Sequence, residues 1–294
     1  MKKIEYGNVE NIAKDFLDIF SKDLPEMQRK WHDFRDSDET FSAFPENVED
    51  ILIAKFEDLA VMYNRYRETK ENANYKTKLE TIFDYRGKYQ SRIADFFIKH
   101  ANEIGITTCY YCDTAYINVY SNNGKDAAHF DLDHFFSQTN CPILALSVFN
   151  LIPSCPVCNE RLKHNKDCLC MSPSSPNYSF ENEVTFKVLL KEVYKTPDFT
   201  DHPDSFIVCF DTCSEQYNKE IDLFRLNERY QFHKCEALQL LSLQQKYSDA
   251  NISMISRLLR ISEASIKEDI FKKEFVVSNK RTFSKLYKDI MDLK

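Results

Sequence analysis

Apolar residues recur at helical spacing through the first hundred positions. Ile12, Phe16 and Ile19 follow a 4,3 step, and Leu52, Phe56, Leu59, Tyr63 and Tyr66 follow 4,3,4,3. The second set predicts one face of a single long helix. Leu79, Phe83, Tyr89, Ile93 and Phe96 predict another, from Thr77 to His100. Pro25 and Pro45 fall in the breaks between helices. Residues 1–105 therefore read as an all-helical N-terminal region, either a bundle packed on the rest of the chain or a docking surface for a partner.

The pattern changes over residues 106–170. Tyr116 to Tyr120 alternates weakly, and Asn122-Asn123-Gly124-Lys125 supplies residues that tolerate φ > 0 at a tight turn. Ala128 to Phe135 then reads as a strand. Residues 171–294 open with a turn segment, Ser172 to Pro176. Val184, Phe186 and Val188 alternate with polar positions, and Phe206 to Phe210 is β-prone. The helical period returns from Leu226, and Leu286, Ile290 and Leu293 predict a last amphipathic helix. The expected fold class is α+β. A small core (106–170) lies between the helical N-terminal region (1–105) and a mixed, mainly helical C-terminal extension (171–294).

Composition narrows the function. The 294 residues are 43% hydrophobic and 29% charged, as in an ordinary globular protein. With 4 glycines and no GxGxxG or GKS/GKT run, phosphate-cradling loops are not expected. The net charge of −7 is unlike the basic surface of a free-standing nucleic-acid binder. Binding would need a local basic strip or a partner that supplies phosphate contacts. After Met1-Lys2-Lys3, residues Glu5, Asn8, Glu10 and Asn11 interrupt any signal-peptide core. The best apolar run, Pro142 to Pro153, is too short to span a bilayer. No membrane association is expected. A cytoplasmic location follows, with the 10 cysteines reduced or metal-bound.

Cys109-Tyr-Tyr-Cys112 and Cys155-Pro-Val-Cys158 are two CxxC pairs. Two such turns make the tetrahedral S₄ set that zinc prefers. Cys168 and Cys170 form only a CxC, Cys209 and Cys213 are four apart, and Cys141 and Cys235 stand alone; these read as core or surface residues. Between the pairs runs His129-Phe-Asp-Leu-Asp133-His134-Phe-Phe, and Asn150 and Asn159 follow. Phosphodiester cleavage needs a deprotonated water, a divalent cation to stabilise charge, and a frame that aligns them. His134 can take a proton near neutral pH. Asp133 offers a hard oxygen for Mg²⁺ or Mn²⁺, and Asn159 a second one, from a helix whose first turn suits Pro156. Lys163 and Lys166 on that helix are candidates for nucleic-acid contact. His129 and Asp131 share the strand face of Asp133 and read as supporting or surface residues.

This set resembles the HNH (ββα-metal) nuclease motif in its zinc-stapled form. Asn150 lies 16 positions after His134, and Asn159 lies 9 after Asn150. The resemblance implies that Asp133 and Asn159 bind the catalytic ion and His134 is the general base. It implies that Asn150 holds the loop between two strands, and that Cys109, Cys112, Cys155 and Cys158 bind structural zinc. The stretches Asp133 to Phe136 and Pro142 to Asn159 look most like the HNH subunits of Septu-type and retron-linked anti-phage systems, which work beside an ABC-like ATPase. Arg281 to Leu286 with Asp289-Ile290, and Leu226 to Tyr230, look like theirs too. A DNA-cleaving effector with an ATPase partner is the implied role.

Two features depart from the motif or strain it. Ser137 stands where the motif has proline, which predicts a looser loop. Strict alternation places Asp133 and His134 on opposite faces, so the strand has to end or bulge at the pair. Two other readings fit the residues: a non-catalytic zinc-stapled module that binds nucleic acid or protein, and an RNA-cleaving toxin nuclease.

Overall fold

The computed structural model describes residues 1–69, 73–168, 170–191 and 202–291. The chain forms two compact units. One takes in residues 2–111 and 117–178, so it combines the N-terminal helices with most of the expected core; the other takes in residues 1, 112–116 and 179–294. The fold is mixed α+β, and its sheets among the described residues are three antiparallel strand pairs.

In the first of these units, α1 (Val9–Asp18) begins where the Asn8 side chain accepts from the amides of Glu10 and Asn11. Its apolar stripe buries Ile12 and Phe16. α2 (Leu24–Arg35) carries Pro25 in its first turn and buries Met27, Trp31 and Phe34. The Trp31 indole donates to the Pro45 carbonyl at 2.9 Å, which satisfies its one polar atom.

Both long helices expected from the periodicity are broken. The Leu52–Tyr66 stretch is divided between α3 (Val48–Leu52) and α4 (Phe56–Glu68). Lys55 is extended at ψ 163°, and the Ser147 hydroxyl donates to the Ile51 carbonyl at 2.7 Å. The same carbonyl accepts from the Ala54 amide at 3.4 Å, so a tight turn and the Ser147 hydroxyl together close the end of α3. Further on, α5 (Ala73–Ile82) and α6 (Gln90–Lys99) are separated by a π-helical turn, Tyr85–Tyr89. The Asp84 carboxylate accepts from the Gly87 amide at 2.8 Å and starts that turn. α7 (Ala101–Ile104) ends at Gly105, whose φ of 74° needs a residue without a Cβ penalty.

Strands β1 (Val119–Asn122) and β2 (Lys125–Ala128) form the expected hairpin through Asn123 and Gly124, at φ 53° and 78°. The single strand expected from Ala128 to Phe135 is two. β2 ends at Ala128, and β3 (Asp131–His134) pairs instead with β4 (Leu151–Ser154). Asp133 lies opposite Ile152 and His134 opposite Leu151, with no bulge; the strand ends at His134. A π-type helix, Val157–Lys163, follows β4.

The second unit contains α8 (Phe180–Glu183) and the strand pair β5 (Thr185–Leu190) and β6 (Phe206–Asp211). Helices α9 (Glu215–Leu223), α10 (Leu226–Phe232), α11 (Lys234–Lys246), α12 (Asp249–Leu259), α13 (Glu263–Phe271), α14 (Lys273–Val277) and α15 (Ser284–Ile290) complete it. Phe186, Phe210 and Tyr230 meet edge-on or tilted in its core. Asp289 on α15 accepts from the Phe186 amide and from Lys285 Nζ, both at 2.6 Å. Leu293, the last residue of the expected terminal helix, lies outside the described residues.

The side chain of Lys285 is 5% exposed, so Asp289→Ala leaves a buried ammonium without its carboxylate. We expect a loss of about 3 kcal/mol in urea unfolding, of the order seen when one partner of a buried pair is removed. Wild-type stability in that variant would show that the pair does not fasten α15 to β5.

Candidate active site

The four cysteines of the two CxxC pairs come together. Cys109, Cys112, Cys155 and Cys158 are all buried, and their sulfurs lie within 4.8 Å of one another. A tetrahedral zinc with Zn–S bonds near 2.3 Å sets its sulfurs about 3.8 Å apart, so a small contraction brings these four onto one ion. The sulfurs also receive donors suited to thiolates. The Cys155 amide reaches Cys109 Sγ at 3.3 Å, and the Thr114 hydroxyl reaches Cys112 Sγ at 3.2 Å. This cluster can hold a metal such as zinc.

Beside β3, a cavity of about 560 Å³ is lined by Asp131, Asp133, His134 and Asn159, with Tyr85 and His164 among the remaining wall residues. The three residues expected at the catalytic centre, at positions 133, 134 and 159, therefore share one cavity. They differ in what they offer it.

His134 has 7% of its surface exposed. Its Nε2 stands 2.9 Å from the Ala145 carbonyl, and its ring meets Tyr85 edge-on at 4.5 Å. A carbonyl only accepts, so Nε2 carries the proton and the Nδ1 lone pair is left for another donor. Nδ1 has no protein partner and is not among the sealed polar atoms, so it is open to the cavity. Burial, with the Lys163 and Arg86 charges adding to it, lowers the imidazole from 6.5 to about 4. That keeps the ring neutral but makes it a weaker proton acceptor than the ordinary imidazole expected from the sequence.

Asp133 is 2% exposed, and both its oxygens are engaged. Tyr111 donates to Oδ2 at 2.6 Å, and Lys163 Nζ donates to Oδ1 at 3.0 Å. Burial pushes the carboxyl up, while the Lys163 ammonium and the Tyr111 hydroxyl oppose the rise. Lys163 corrects an expectation. Its side chain has no exposed surface, and Nζ also donates to the His134 carbonyl at 2.6 Å. Its charge is spent inside the protein and does not face nucleic-acid phosphates. Lys166 is exposed and reaches back to the Leu162 carbonyl.

Asn159, expected to work with Asp133, has its hydrogen bond to Asp131 instead, Nδ2 to Oδ2 at 3.3 Å. Asn150 is fully buried. Its Oδ1 accepts from the Phe136 amide, and its Nδ2 donates to the Phe136 and Leu144 carbonyls. The loop that joins β3 to β4 is tied to itself through this one carboxamide. Ser137 does not loosen that loop. Its carbonyl accepts from the Asn140 and Cys141 amides, and its hydroxyl accepts from Thr139 N. His129 is exposed and is not part of the cavity wall.

Sequence reasoning missed Tyr85, Tyr111 and the inward role of Lys163. Tyr111 had a faint signal, since it sits inside the first CxxC turn and that turn closes on β4. Tyr85 had none, because the π-helical turn that carries it is set by Asp84.

Two outcomes follow. Purified protein is expected to carry one zinc equivalent per chain by elemental analysis, and Cys155→Ala to lose both zinc and solubility. A full zinc equivalent in that variant would remove the cluster. Lys163→Met is expected to lose about 3 kcal/mol in urea unfolding, because Asp133 stays buried without its counter-charge. Part of that loss should return in the Lys163→Met/Asp133→Asn double variant; an unchanged single variant would contradict the buried pair.

Comparison with known proteins gives no match: no family model, no curated protein and no solved structure is similar to this chain.

Proposed function

We propose that this protein is a metal-dependent endonuclease of the HNH type that hydrolyses DNA phosphodiester bonds. The observation that carries the reading is the His134 ring: held by the Ala145 carbonyl, and open at Nδ1 to a cavity that also holds Asp131, Asp133 and Asn159. A non-catalytic module has no need of an imidazole presented in that way. The order of a strand pair and a helix around the same residues, beside four clustered cysteines, also supports it.

In this reading His134 Nδ1 accepts the proton of the attacking water. The Ala145 carbonyl holds the tautomer that leaves Nδ1 free to do so, and Tyr85 restricts the ring's rotation. Asn150 keeps the loop after β3 in place, so the base does not drift. Oxygens of Asn159 and of a strand aspartate would hold a divalent cation of the magnesium type. When bound, such an ion supplies charge stabilisation for the scissile phosphate and the leaving oxygen. Magnesium keeps several waters, so few protein ligands suffice.

The overall charge of −7 bears on partners. Lys163 is turned inward, which leaves Arg86 as the one lysine or arginine in the cavity wall among the described residues. We infer that a partner supplies phosphate contacts, and the resemblance to nuclease subunits of anti-phage systems makes an ABC-like ATPase the partner to look for.

The test is cleavage of supercoiled plasmid with Mg²⁺ or Mn²⁺, alone and with the product of a neighbouring ATPase gene. Wild-type protein is expected to cut, and His134→Ala to lose at least about 100-fold, the usual scale for a general base. Zinc content should not change; because the ring is buried against Tyr85 and bonded to Ala145, the unfolding midpoint should fall, so rates are compared well below the variant's midpoint. Wild-type rates in that variant exclude His134 as the base, and absence of cleavage under every condition sinks the nuclease reading.

A further inference from the structure

Two aspartates on one strand face compete for the role of cation ligand. Residues two apart on a strand share a face, so Asp131 and Asp133 both look toward the cavity. Their surroundings differ. Asp133 is sealed and has a donor on each oxygen, one of them an ammonium 3.0 Å away. A divalent cation placed on Asp133 would have to settle within a few ångströms of that ammonium, with no water between the charges. Asp131 is half-buried, and among the described residues no lysine or arginine lies within ion-pairing distance of it. Asp131 is therefore in no ion pair, although Arg86 lines the same cavity.

Asp131 has one side-chain partner, Asn159, at 3.3 Å. That spacing is informative. Two oxygens on adjacent corners of an octahedral magnesium, with bonds of 2.0–2.1 Å, stand about 2.9 Å apart. The Asp131 carboxylate and the Asn159 carboxamide are thus close to the separation that one ion requires. A half-turn of the amide presents Oδ1 in place of Nδ2, and that oxygen has no protein partner to lose. A second, independent feature points at the same place. His134 is more than nine-tenths buried, and its unpartnered Nδ1 opens into the cavity that Asp131 and Asn159 also line.

We propose that Asp131, together with Asn159, is the carboxylate that holds the divalent cation in this protein, and that Asp133 is a positioning residue. Asp133 anchors Lys163, and Lys163 in turn holds the His134 carbonyl at 2.6 Å. The ligand therefore stands two positions before the one that the sequence motif points to. The chemical class is a hard, oxygen-seeking divalent ion. The inference relies on the nuclease reading for the reaction the ion serves, but the cation site itself stands on the cavity.

The experiment is Mn²⁺ binding to the zinc-loaded full chain, followed by electron paramagnetic resonance of the unbound ion. It uses wild type, Asp131→Asn, Asp131→Glu and Asp133→Asn, with plasmid cleavage run in parallel. Wild type is expected to bind one Mn²⁺. Asp131→Asn should weaken that site at least ten-fold with no change in unfolding midpoint, and Asp131→Glu should recover part of the affinity. Asp133→Asn should lose less Mn²⁺ affinity than Asp131→Asn, and more stability. If Asp133→Asn does not fold, the Asp131 pair decides alone. Undiminished Mn²⁺ binding by Asp131→Asn overturns the proposal, whether or not the wild type cuts DNA. Mn²⁺ binding that depends on Asp131 in a protein that cuts nothing upholds the site and overturns only the nuclease reading.

Discussion

A lysine with no exposed surface sets the geometry of this site. Lys163 ends the π-type helix after β4 and places its ammonium between the Asp133 carboxylate and the His134 carbonyl. An isolated charge at that depth is costly, and an oxygen set on one strand offsets it. The consequences spread outward. The helix is drawn against β3, which brings Asn159 onto Asp131. Asp133 is neutralised from within. His134 is fixed at its backbone by Lys163 and at its ring by Ala145 and Tyr85.

The resulting cavity separates two electrostatic roles. The Asp133 carboxylate is paired with a lysine inside the protein, whereas Asp131, on the same strand face, is in no ion pair. His134 lines the same cavity, with one ring nitrogen committed to a carbonyl and the other open. A carboxylate outside any ion pair and an imidazole with an open nitrogen suit a hydrated cation, because the ion would offset the carboxylate's charge and the base could receive a proton from its water. The four cysteines are placed to steady the turn that supplies Tyr111 and the turn that opens the Asn159 helix.

Much of this was legible in the sequence, for reasons of spacing. Two CxxC turns announce a metal cluster because each turn is local. The Asn123-Gly124 turn announces a hairpin because only a few residues tolerate its dihedrals. Asn150 could be singled out from its distance to His134, and it does bridge Phe136 and Leu144. Where prediction failed, distant residues decided the outcome. The Leu52–Tyr66 period runs through unbroken, yet the Ser147 hydroxyl, 96 positions from its partner Ile51, helps to close the end of α3. A lysine on a helix after a metal-knuckle turn reads as exposed; Lys163 is buried because Asp133 lies 30 positions earlier in sequence and 3.0 Å away in space. Asp131 and Asp133 are equivalent by strand period, and only Tyr111 and Lys163 distinguish them.

The account rests on a cation held at the Asp131–Asn159 side of the cavity, with His134 facing it. Crystals soaked in Mn²⁺ and measured at the manganese absorption edge locate that ion without reference to activity. The account predicts one anomalous peak in the cavity, bonded to oxygens of Asp131 and Asn159, with Lys163 still on Asp133. A peak on Asp133 with Lys163 displaced, or a cavity without manganese, would contradict it.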